Sequence, residues 1–430
     1  MKRLLSATSL LLASAVVLAA EKPLTLEEAL ASVDTAHPLM QAAQASLELA
    51  LADEKVAGSS NDVTLTAEGI LRQGRPTTGS SDWLSDNVGR LVMRKTLFDF
   101  GRQQGQIDAA REEVNARQLA LMETRDARRI DIMGRFFDVL LADARYGAEN
   151  EFMAVYYVSW DDSRKRYDLG EMNASELARL EARFQDQREK RNRILMQQRA
   201  TRQKLANALN QPGKLPGALV PPQLKQNDIK LPAYEDMLPL ALESNRKLQA
   251  LQSQLNAVAA RSETIRAGRA PTIDIELMAG DYSRDTSTRD SVSGGLILNW
   301  PLYQGARIDS RLAREVAERT RLEAQVEQFK RELDESLLET LQEIEWLHTA
   351  ARPAARVQID YRDKVLDRAR AEYELEMRTN LGVTMAETQT AAIRASEVEY
   401  RLALALARLE ALVGRPLSEI AMQLKVSEKK

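Results

Sequence analysis

The side chains that most often carry out catalysis or bind metal ions are scarce in this chain. Its 430 residues contain no cysteine and two histidines, His37 and His348. Disulfides, thiolate metal sites and cysteine nucleophiles are therefore excluded, and two histidines so distant in the chain give no metal-site signal. We expect His37 to lie in a loop or at a helix end, and His348 to lie on the face of a helix.

Carboxylates are the remaining groups that could do acid–base chemistry, and they are abundant. Most of them recur at helical spacing, which is typical of solvated helix faces rather than of a pocket. No nucleophile motif or phosphate-binding loop accompanies them. The sequence therefore predicts a protein that is not an enzyme and that needs no cofactor or metal ion.

The charge pattern narrows the range of partners. The chain has 60 basic and 63 acidic residues, and the two signs are interspersed without a basic cluster. Nucleic-acid-binding surfaces are strongly basic, so we predict no nucleic-acid partner. With 29% charged and 44% apolar residues, the composition also excludes a largely disordered chain.

The first twenty residues have the layout of a secretory signal peptide. Lys2 and Arg3 precede an apolar run, Leu4–Leu18, which ends in two alanines. A membrane anchor is the alternative, but about fifteen apolar residues are short for a helix that crosses about 30 Å of hydrocarbon. We therefore predict that residues 1–20 are a cleaved signal and that the mature protein lies outside the inner membrane.

Proline spacing indicates very long helices. No proline occurs between Pro76 and Pro212, and the region from about 105 to 166 is rich in helix formers. Later in the chain, a seam of apolar residues repeats about every 3.5 positions, which is typical of a coiled coil. The seam consists of Val326, Phe329, Leu333, Leu337, Leu341, Ile344 and Leu347. We expect Pro353 to kink or locally unwind this second rod.

Short strands precede each long helix. Val63–Leu71 and Thr272–Ala279 alternate apolar and polar residues, and Val88–Phe98 and Val292–Trp300 are also strand-like. In a soluble protein, such alternation indicates a sheet with one face buried and the other in water.

The same strands also suit an outer membrane, with apolar side chains toward lipid and polar side chains toward water. Four strands cannot close a barrel, and open edges are not tolerated in lipid. The membrane interpretation therefore requires three copies to share about twelve strands. Trp300 and Tyr303 would then lie where interfacial aromatic residues are favoured.

The order of these elements occurs twice. A helix, a strand pair, a long helix and a return helix follow one another, and the first helix is predicted at about 26–57 in one half and at about 234–267 in the other. Leu97–Arg102 aligns with Leu302–Arg307. A proline-rich stretch between Pro212 and Pro232 separates the two halves. We therefore divide the chain into a signal peptide, a first repeat, a connector, a second repeat and a C-terminal tail, at 1–20, 21–210, 211–233, 234–416 and 417–430.

Six short motifs follow one another in these two halves. They are Leu24–Leu30, His37-Pro38, Leu97–Gly101, Tyr167–Gly170, Pro301–Gly305 and Tyr373–Leu375. Each motif is weak alone, but in this order they resemble the TolC family of trimeric outer-membrane efflux channels. The resemblance covers essentially the whole mature chain.

The resemblance implies a mainly α fold with a small β part. Long antiparallel coiled-coil helices would form a trimeric α-barrel in the periplasm, and four strands per chain would contribute to a shared 12-stranded transmembrane β-barrel. The implied function is a passive conduit, gated at its periplasmic helical tips, for a tripartite efflux pump or a type I secretion system. The implied partners are two further copies of the chain, a periplasmic adaptor (membrane fusion) protein, an inner-membrane pump or ABC transporter, and outer-membrane lipid.

The resemblance also implies a gate at the helical tips. By position, Tyr373 and Arg378 fall where the family places its tip-closing residues, and Glu176 falls where it places the acceptor carboxylate. Arg378 and Tyr373 would then bind Glu176 in the closed state; the alternative is a solvated surface ion pair. Adaptor contacts are implied at both tips, at Gly170, Glu171, Met172, Met377, Arg378 and Thr379.

The sequence departs from the family at the channel entrance. Gly382 and Met385 stand at the constriction level, where well-studied members have two aspartates, so we do not expect an acidic ring there. Glu374, Glu376 and Glu387 lie near the second tip and could supply negative charge instead.

Two other interpretations stay open at this point. An exported coiled-coil scaffold or adhesion stalk without a pore would explain the heptads and the signal, but not the amphipathic strand pairs. A periplasmic adaptor also uses helical hairpins, but usually one between β-rich domains, whereas this chain has two.

Overall fold

The computed structural model describes residues 22–34, 37–75, 82–284, 289–375 and 380–420. The predicted signal peptide and most of the predicted C-terminal tail lie outside these ranges. The described chain divides into two compact units. One comprises the residues up to Ser32 with Arg135–Gln223, and the other comprises Val33–Gly134 with the residues from Leu224 onward. The division of the sequence into two repeats stays a prediction.

Helices make up most of the described chain. They are α1 (Leu26–Ala31), α2 (Pro38–Gly58), α3 (Arg102–Asp168), α4 (Ala174–Ala208), α5 (Tyr234–Ser244), α6 (Arg246–Ala267), α7 (Arg307–Trp346), α8 (Arg352–Glu374) and α9 (Leu381–Val413). The 67 residues of α3 extend about 100 Å at about 1.5 Å per residue. No helix in the described ranges combines the length and the apolar character that crossing a membrane requires.

The strands form one principal antiparallel sheet. They are β1 (Thr64–Ile70), β2 (Gln73–Gly74), β3 (Leu84–Ser85), β4 (Val88–Phe98), β5 (Thr272–Tyr282) and β6 (Val292–Asn299). The principal sheet has the order β1-β4-β5-β6, and β2 and β3 form a separate two-stranded ladder. In the principal sheet, Leu65 lies opposite Met93, Met93 lies opposite Leu277, and Leu277 lies opposite Gly294. The four strands correspond closely to those predicted from alternation.

The second long rod is interrupted near Pro353, as the sequence predicts. A π-helical turn spans Leu347–Ala351 between α7 and α8, and Pro353 lies in the first turn of α8. Proline has no N–H to donate and its ring clashes with the carbonyl four residues earlier, so the preceding backbone widens. His348 lies in this turn.

The predicted helix from about 26 to 57 is not continuous, and that prediction is wrong. It divides into α1, a 3₁₀ turn at Ser32–Asp34, and α2. His37 caps α2, because its Nδ1 accepts the Leu39 N–H at 3.2 Å, and Pro38 occupies the first helical position. His37 therefore lies at a helix end, as expected.

The predicted helix from about 234 to 267 is also divided, at Asn245. The backbone of Asn245 is extended, and its Oδ1 accepts the Leu248 N–H at 3.0 Å to begin α6. Its side-chain nitrogen donates to the Leu412 carbonyl at 2.9 Å, and Ser244 also donates to a carbonyl at the end of α9. Contacts with α9 therefore hold the break in place.

The core of the second unit lies between α5, α7, α8 and α9. Four positions of the predicted seam are buried there, namely Leu333, Leu337, Ile344 and Leu347. They pack with a buried row from α9 that consists of Val398, Leu402, Ala405, Leu406, Leu409 and Val413. The heptad pattern thus marks the side of α7 that enters the core.

In the first unit, the second half of α3 packs against α4. The rings of Trp160 and Phe184 stack with centroids 5.4 Å apart. Nearer the other end of α4, the Arg202 guanidinium binds Asp143, with Nη2 2.7 Å from Oδ2. The pairing of late α3 residues with early α4 residues makes this an antiparallel hairpin that includes the predicted return helix.

Candidate functional site

One face of the four-stranded sheet carries charged and polar pairs that join neighbouring strands. The pairs are Glu68–Arg90, Arg94–Glu276 and Thr96–Asp274. The closest nitrogen–oxygen distance between Arg90 and Glu68 is 2.6 Å, and the Thr96 hydroxyl donates to Asp274 at 2.6 Å. These cross-strand pairs balance charge and keep this face hydrophilic.

The opposite face of the sheet is apolar and exposed. Its exposed large residues are Leu65, Leu91, Leu277, Val292, Leu296 and Leu298. Leu65 is 69% exposed and Leu296 is 68% exposed. Burying such a side chain contributes about 1.5 to 3 kcal/mol, so a row of exposed ones indicates that something apolar covers this face. The interpretation as a half-buried sheet of a soluble protein does not hold for the single chain.

Exposed aromatic residues lie at both ends of this apolar face. Trp300 and Tyr303, which follow β6, are 58% and 91% exposed. At the same end, the rings of Phe98 and Phe100 meet edge to face at 4.7 Å. Trp83 precedes β3 near the other end and is also exposed. Aromatic residues in such positions are typical of membrane–water interfaces.

Asp99 builds the turn from β4 into α3. Its carboxylate accepts the Gly101 N–H at 3.1 Å and the Gln103 N–H at 2.7 Å, which caps the helix. Gly101 has a φ of 86°, a left-handed conformation that glycine adopts without steric cost. The motif Leu97–Gly101 therefore joins the end of β4 to the start of α3.

The first predicted tip is a tight turn between α3 and α4. Gly170 has a φ of 73°, and its N–H donates to the Tyr167 carbonyl at 2.9 Å. The Glu171 N–H donates to the Arg166 carbonyl at 2.9 Å, which completes a helix-ending motif of the kind that requires a left-handed residue. The Glu171 carboxylate also lies 3.5 Å from Arg166.

Glu176 lies in the first turn of α4, beside this tip. The Asn173 side chain caps the helix by accepting the Glu176 N–H at 2.9 Å. A carboxylate at this position is favoured by the positive end of the helix dipole. The Glu176 carboxylate is 47% exposed and lies 4.0 Å from Arg179, so it stays accessible at the surface. Met172 of the same tip is half-buried.

The second tip is described only on its two sides. Tyr373, in the last turn of α8, is 64% exposed. Met377, Arg378 and Thr379 lie outside the described residues, as does Glu376. Beyond them, Gly382 and Met385 lie in the first turns of α9, and Met385 is 40% exposed. The gate, the adaptor contacts and the entrance level stay predictions.

Glu387 does not carry a free charge at the second tip. The Arg362 guanidinium of α8 binds its carboxylate, and the Thr388 hydroxyl donates to the Arg362 carbonyl at 3.5 Å. The Glu387 carboxylate is therefore paired with Arg362, and its contribution to the charge near the tip stays a prediction. Glu374 is exposed at the end of α8.

The sequence interpretation missed a charged cluster beside the π-turn. Arg352, the first residue of α8, donates to both carboxylate oxygens of Glu399, at 2.5 and 2.8 Å, and to Asp228 at 2.6 Å. Asn227 donates to Glu399 at 2.8 Å. We call these four residues the connector clamp, because they tie the connector to α8 and α9. Since they are distant in sequence, no local motif marks them.

The connector clamp changes the protonation behaviour of its members. Burial would raise the pKa of Glu399, but hydrogen bonds from Arg352 and Asn227 outweigh burial and hold the pKa below its usual value. The hydrogen bond with Glu399 in turn raises the pKa of Arg352. The pair is therefore ionised at neutral pH.

The sequence comparison finds one family model that is similar to part of the chain. Residues 237–415, less than half of the chain, match the family model described as outer membrane efflux protein. The resemblance to TolC-type channels is confirmed by this match and by the structural matches below. No curated protein has a significant sequence match to this chain.

Solved structures share the fold of this chain. The outer membrane protein VceC of Vibrio cholerae matches with a TM-score of 0.71 and 16% identity, over 91% of this chain and 96% of that one. The CmeC outer membrane channel of Campylobacter jejuni matches with a TM-score of 0.70 and 12% identity, over 94% and 89%. The open state of the Neisseria gonorrhoeae MtrE outer membrane channel matches with a TM-score of 0.70 and 16% identity, over 91% and 89%. At these identities the likeness shows the fold alone.

These matches confirm the predicted fold class, mainly α with a small antiparallel sheet. The matched part of the chain is similar to a family of channels rather than to a family of enzymes. Among the residues that the structure describes, no three His, Asp or Glu side chains converge in a way that would hold a metal ion.

Proposed function

We propose that this protein is the outer-membrane conduit of a tripartite efflux pump or of a type I secretion system. Cargo passes through it from the periplasmic side to the exterior without any bond being made or broken. The observation that carries the proposal is the four-stranded sheet, with one face apolar and exposed and the other lined by Glu68–Arg90 and Arg94–Glu276.

The two edges of the sheet determine how many chains are needed. β1 and β6 form these edges, and lipid offers no hydrogen-bond partners to an open strand. Three copies of four strands give a closed wall of about twelve strands, which removes the edges and leaves a water-filled lumen. The leucines of the apolar face then contact lipid, and the charged pairs face the lumen.

The connections determine at which end of the sheet the helices are attached. α2 and α6 enter the sheet at the end where α3 and α7 leave it. The helices are therefore attached to one end of the strands, and the short β2–β3 ladder to the other. We propose that the helical end lies in the periplasm, where a periplasmic adaptor and an inner-membrane pump or ABC transporter would dock.

We propose further that the helical tips form the gate. Tyr373 and Arg378 hold Glu176 in the closed state, and the accessible carboxylate of Glu176 supports this role. A charge-assisted contact of this kind contributes about 1 to 3 kcal/mol, which adaptor docking could offset. The adaptor would contact the tips at Gly170, Glu171, Met172, Met377, Arg378 and Thr379, and Gly382 and Met385 would line the entrance.

Fractionation and conductance test the conduit. The mature protein should be extracted from outer membranes by detergent as a trimer, and the trimer should conduct ions in a planar bilayer. A scaffold or stalk would instead be released by osmotic shock and would form no pores. Release as a soluble monomer would contradict the proposal.

The gate has its own test in the same bilayers. Arg378→Ala should increase the open fraction of reconstituted trimers, because the closed state loses a charged contact. Arg370→Ala, an exposed arginine near the end of α8, is the matched control and should leave opening unchanged. An unchanged open fraction in Arg378→Ala would contradict the proposed gate. The proposal that the protein is a conduit would still stand.

A further inference from the structure

A polar cavity lies where the sheet meets the helices. Its volume is about 240 Å³, and its walls come from the starts of α3, α7 and β5 and from the ends of α6 and β6. Its charged lining residues among those described are Arg102 and Arg311, and no carboxylate lines it. Thr272, Asn299 and Gln304 add neutral polar groups.

Arg102 has an unsatisfied donor in this cavity wall. Its Nη2 donates to the Ala267 carbonyl at 3.3 Å, at the end of α6. Its Nε is buried and has no hydrogen-bond partner among the described residues. Buried donors without partners are uncommon, and this one leaves the Arg102 guanidinium with a single hydrogen bond among the described residues.

Arg311 is the second cation, and in the described part of the chain no carboxylate neutralises it. The two carboxylates of α7 that are closest to it in sequence bind other arginines: Asp309 binds Arg269, and Glu315 binds Arg261. These pairings leave Arg311 uncompensated.

We infer that this cavity binds a tetrahedral oxyanion of the phosphate class through the guanidinium groups of Arg102 and Arg311. Guanidinium groups match phosphate oxygens in geometry and form strong charge-assisted hydrogen bonds with them. The hydroxyl of Thr272 and the amide of Asn299 supply neutral donors.

The strand register favours a dissolved phosphate over a lipid head group. Thr272 lies opposite Asn299, and by the two-residue repeat of a strand Thr272 belongs to the face that carries Asp274 and Glu276. Under the proposed function that face borders the lumen, so the ligand is a phosphate group of a solute there. This choice of source rests on the proposed function, whereas binding itself rests on the cavity.

Calorimetric titration of the intact trimer in detergent with inorganic phosphate, in chloride buffer, tests the binding. The wild-type trimer should bind phosphate, and Arg311→Gln should weaken binding by at least about tenfold, because one of two charged contacts is lost. Arg311→Lys should restore part of it. Arg307→Gln removes the same charge one turn earlier on α7, outside the cavity, and should stay within about twofold of wild type.

Three outcomes would overturn the inference. They are absence of phosphate binding by a wild-type trimer that conducts ions, equal binding by wild type and Arg311→Gln, and equal weakening by Arg307→Gln. A trimer that binds phosphate as expected but does not conduct would contradict the proposed function and leave the binding site standing.

The source of the phosphate group is tested by repeating the titration in lipid. In phosphatidylcholine nanodiscs and in nanodiscs containing phosphatidylglycerol, a lumenal site should bind inorganic phosphate with the same affinity. Loss of binding only with the anionic lipid would overturn the assignment to a solute, because the lipid head group would then occupy the cavity.

Discussion

The helical core and the sheet of the second unit place leucine in opposite environments. Leu337 and Leu402 in the core are 0% exposed, whereas Leu65 and Leu296 on the sheet are 69% and 68% exposed. The core leucines find their apolar contacts within one chain. The sheet leucines do not, which is why we propose that lipid covers them.

The two regions also differ in how they hold charge. In the connector clamp, the side chains of Arg352 and Glu399 are 15% and 32% exposed, and Arg352 bridges two carboxylates. On the sheet, the side chains of Arg90 and Glu68 are 35% and 38% exposed. Solvent screens the sheet pair more, so we expect the clamp to matter more for stability.

The largest effect should come from Leu402→Ala in the helical core. Removing a fully buried leucine from a packed interior costs about 2 to 5 kcal/mol of unfolding free energy. Denaturant unfolding followed by the helical circular dichroism signal measures the loss. Leu338→Ala, on α7 and 40% exposed, is the control and should cost less than about 1 kcal/mol. Equal losses would contradict the division between core and surface.

Leu65→Arg on the sheet should have an effect of similar size, but on assembly in the membrane rather than on unfolding. An arginine on the lipid face near the bilayer midplane costs about 2 to 4 kcal/mol, so the amount of trimer in outer membranes should fall strongly. Thr66→Arg is the matched control, because the next residue along β1 points to the opposite, hydrophilic face. Trimer recovery from purified outer membranes is the measurement.

Leu65→Arg and Thr66→Arg together test how the two faces of the sheet have been assigned. If both variants assemble equally well, the leucine face does not contact lipid. If Thr66→Arg is the more harmful, the two faces have been assigned the wrong way round. Either result would remove the main support for the conduit.

The sequence predicts regular elements well where one repeating pattern dominates. Alternation located β1 and β5, strand-like segments located β4 and β6, and the seam through Leu333 and Leu337 located the core side of α7. The sequence prediction failed at Asn245. The helix ends there because the Asn245 side chain donates a hydrogen bond to α9, a contact that no local pattern records. The π-turn before Pro353 was predictable because proline acts on its own backbone.

The candidate functional site was predictable only in part, because many of its contacts join residues that are distant in sequence. Leu97–Gly101 and Gly170 mark turns through local backbone chemistry, and both lie in turns of the expected kind. The charged pairs on the sheet depend on register between distant strands, and the connector clamp joins three separate segments. Such long-range pairs leave no periodicity in the sequence.

A smaller effect should distinguish the two kinds of charged pair. Arg352→Gln should cost about 1 to 3 kcal/mol of unfolding free energy, because it leaves the partly buried Glu399 carboxylate without its main partner. Arg90→Gln on the sheet should cost less than about 1 kcal/mol, since solvent screens that pair. Chemical unfolding of both variants measures the difference. A larger loss in Arg90→Gln would reverse the ranking of the two regions.

The smallest effect should be the dependence of the connector clamp on acid. The pKa of Glu399 in the folded chain lies below its usual value of 4.5, so the folded state favours the charged carboxylate. The clamp therefore contributes its full stability above about pH 4.5 and loses it as the pH falls through the lowered pKa. The difference in unfolding free energy between wild type and Glu399→Gln should be constant from pH 7 to about pH 5 and should shrink at lower pH. In an Arg352→Gln background the hydrogen bonds that lower the pKa are mostly gone, so this shrinkage should be weaker. A difference that grows on acidification would mean that burial, rather than Arg352 and Asn227, controls the protonation of Glu399.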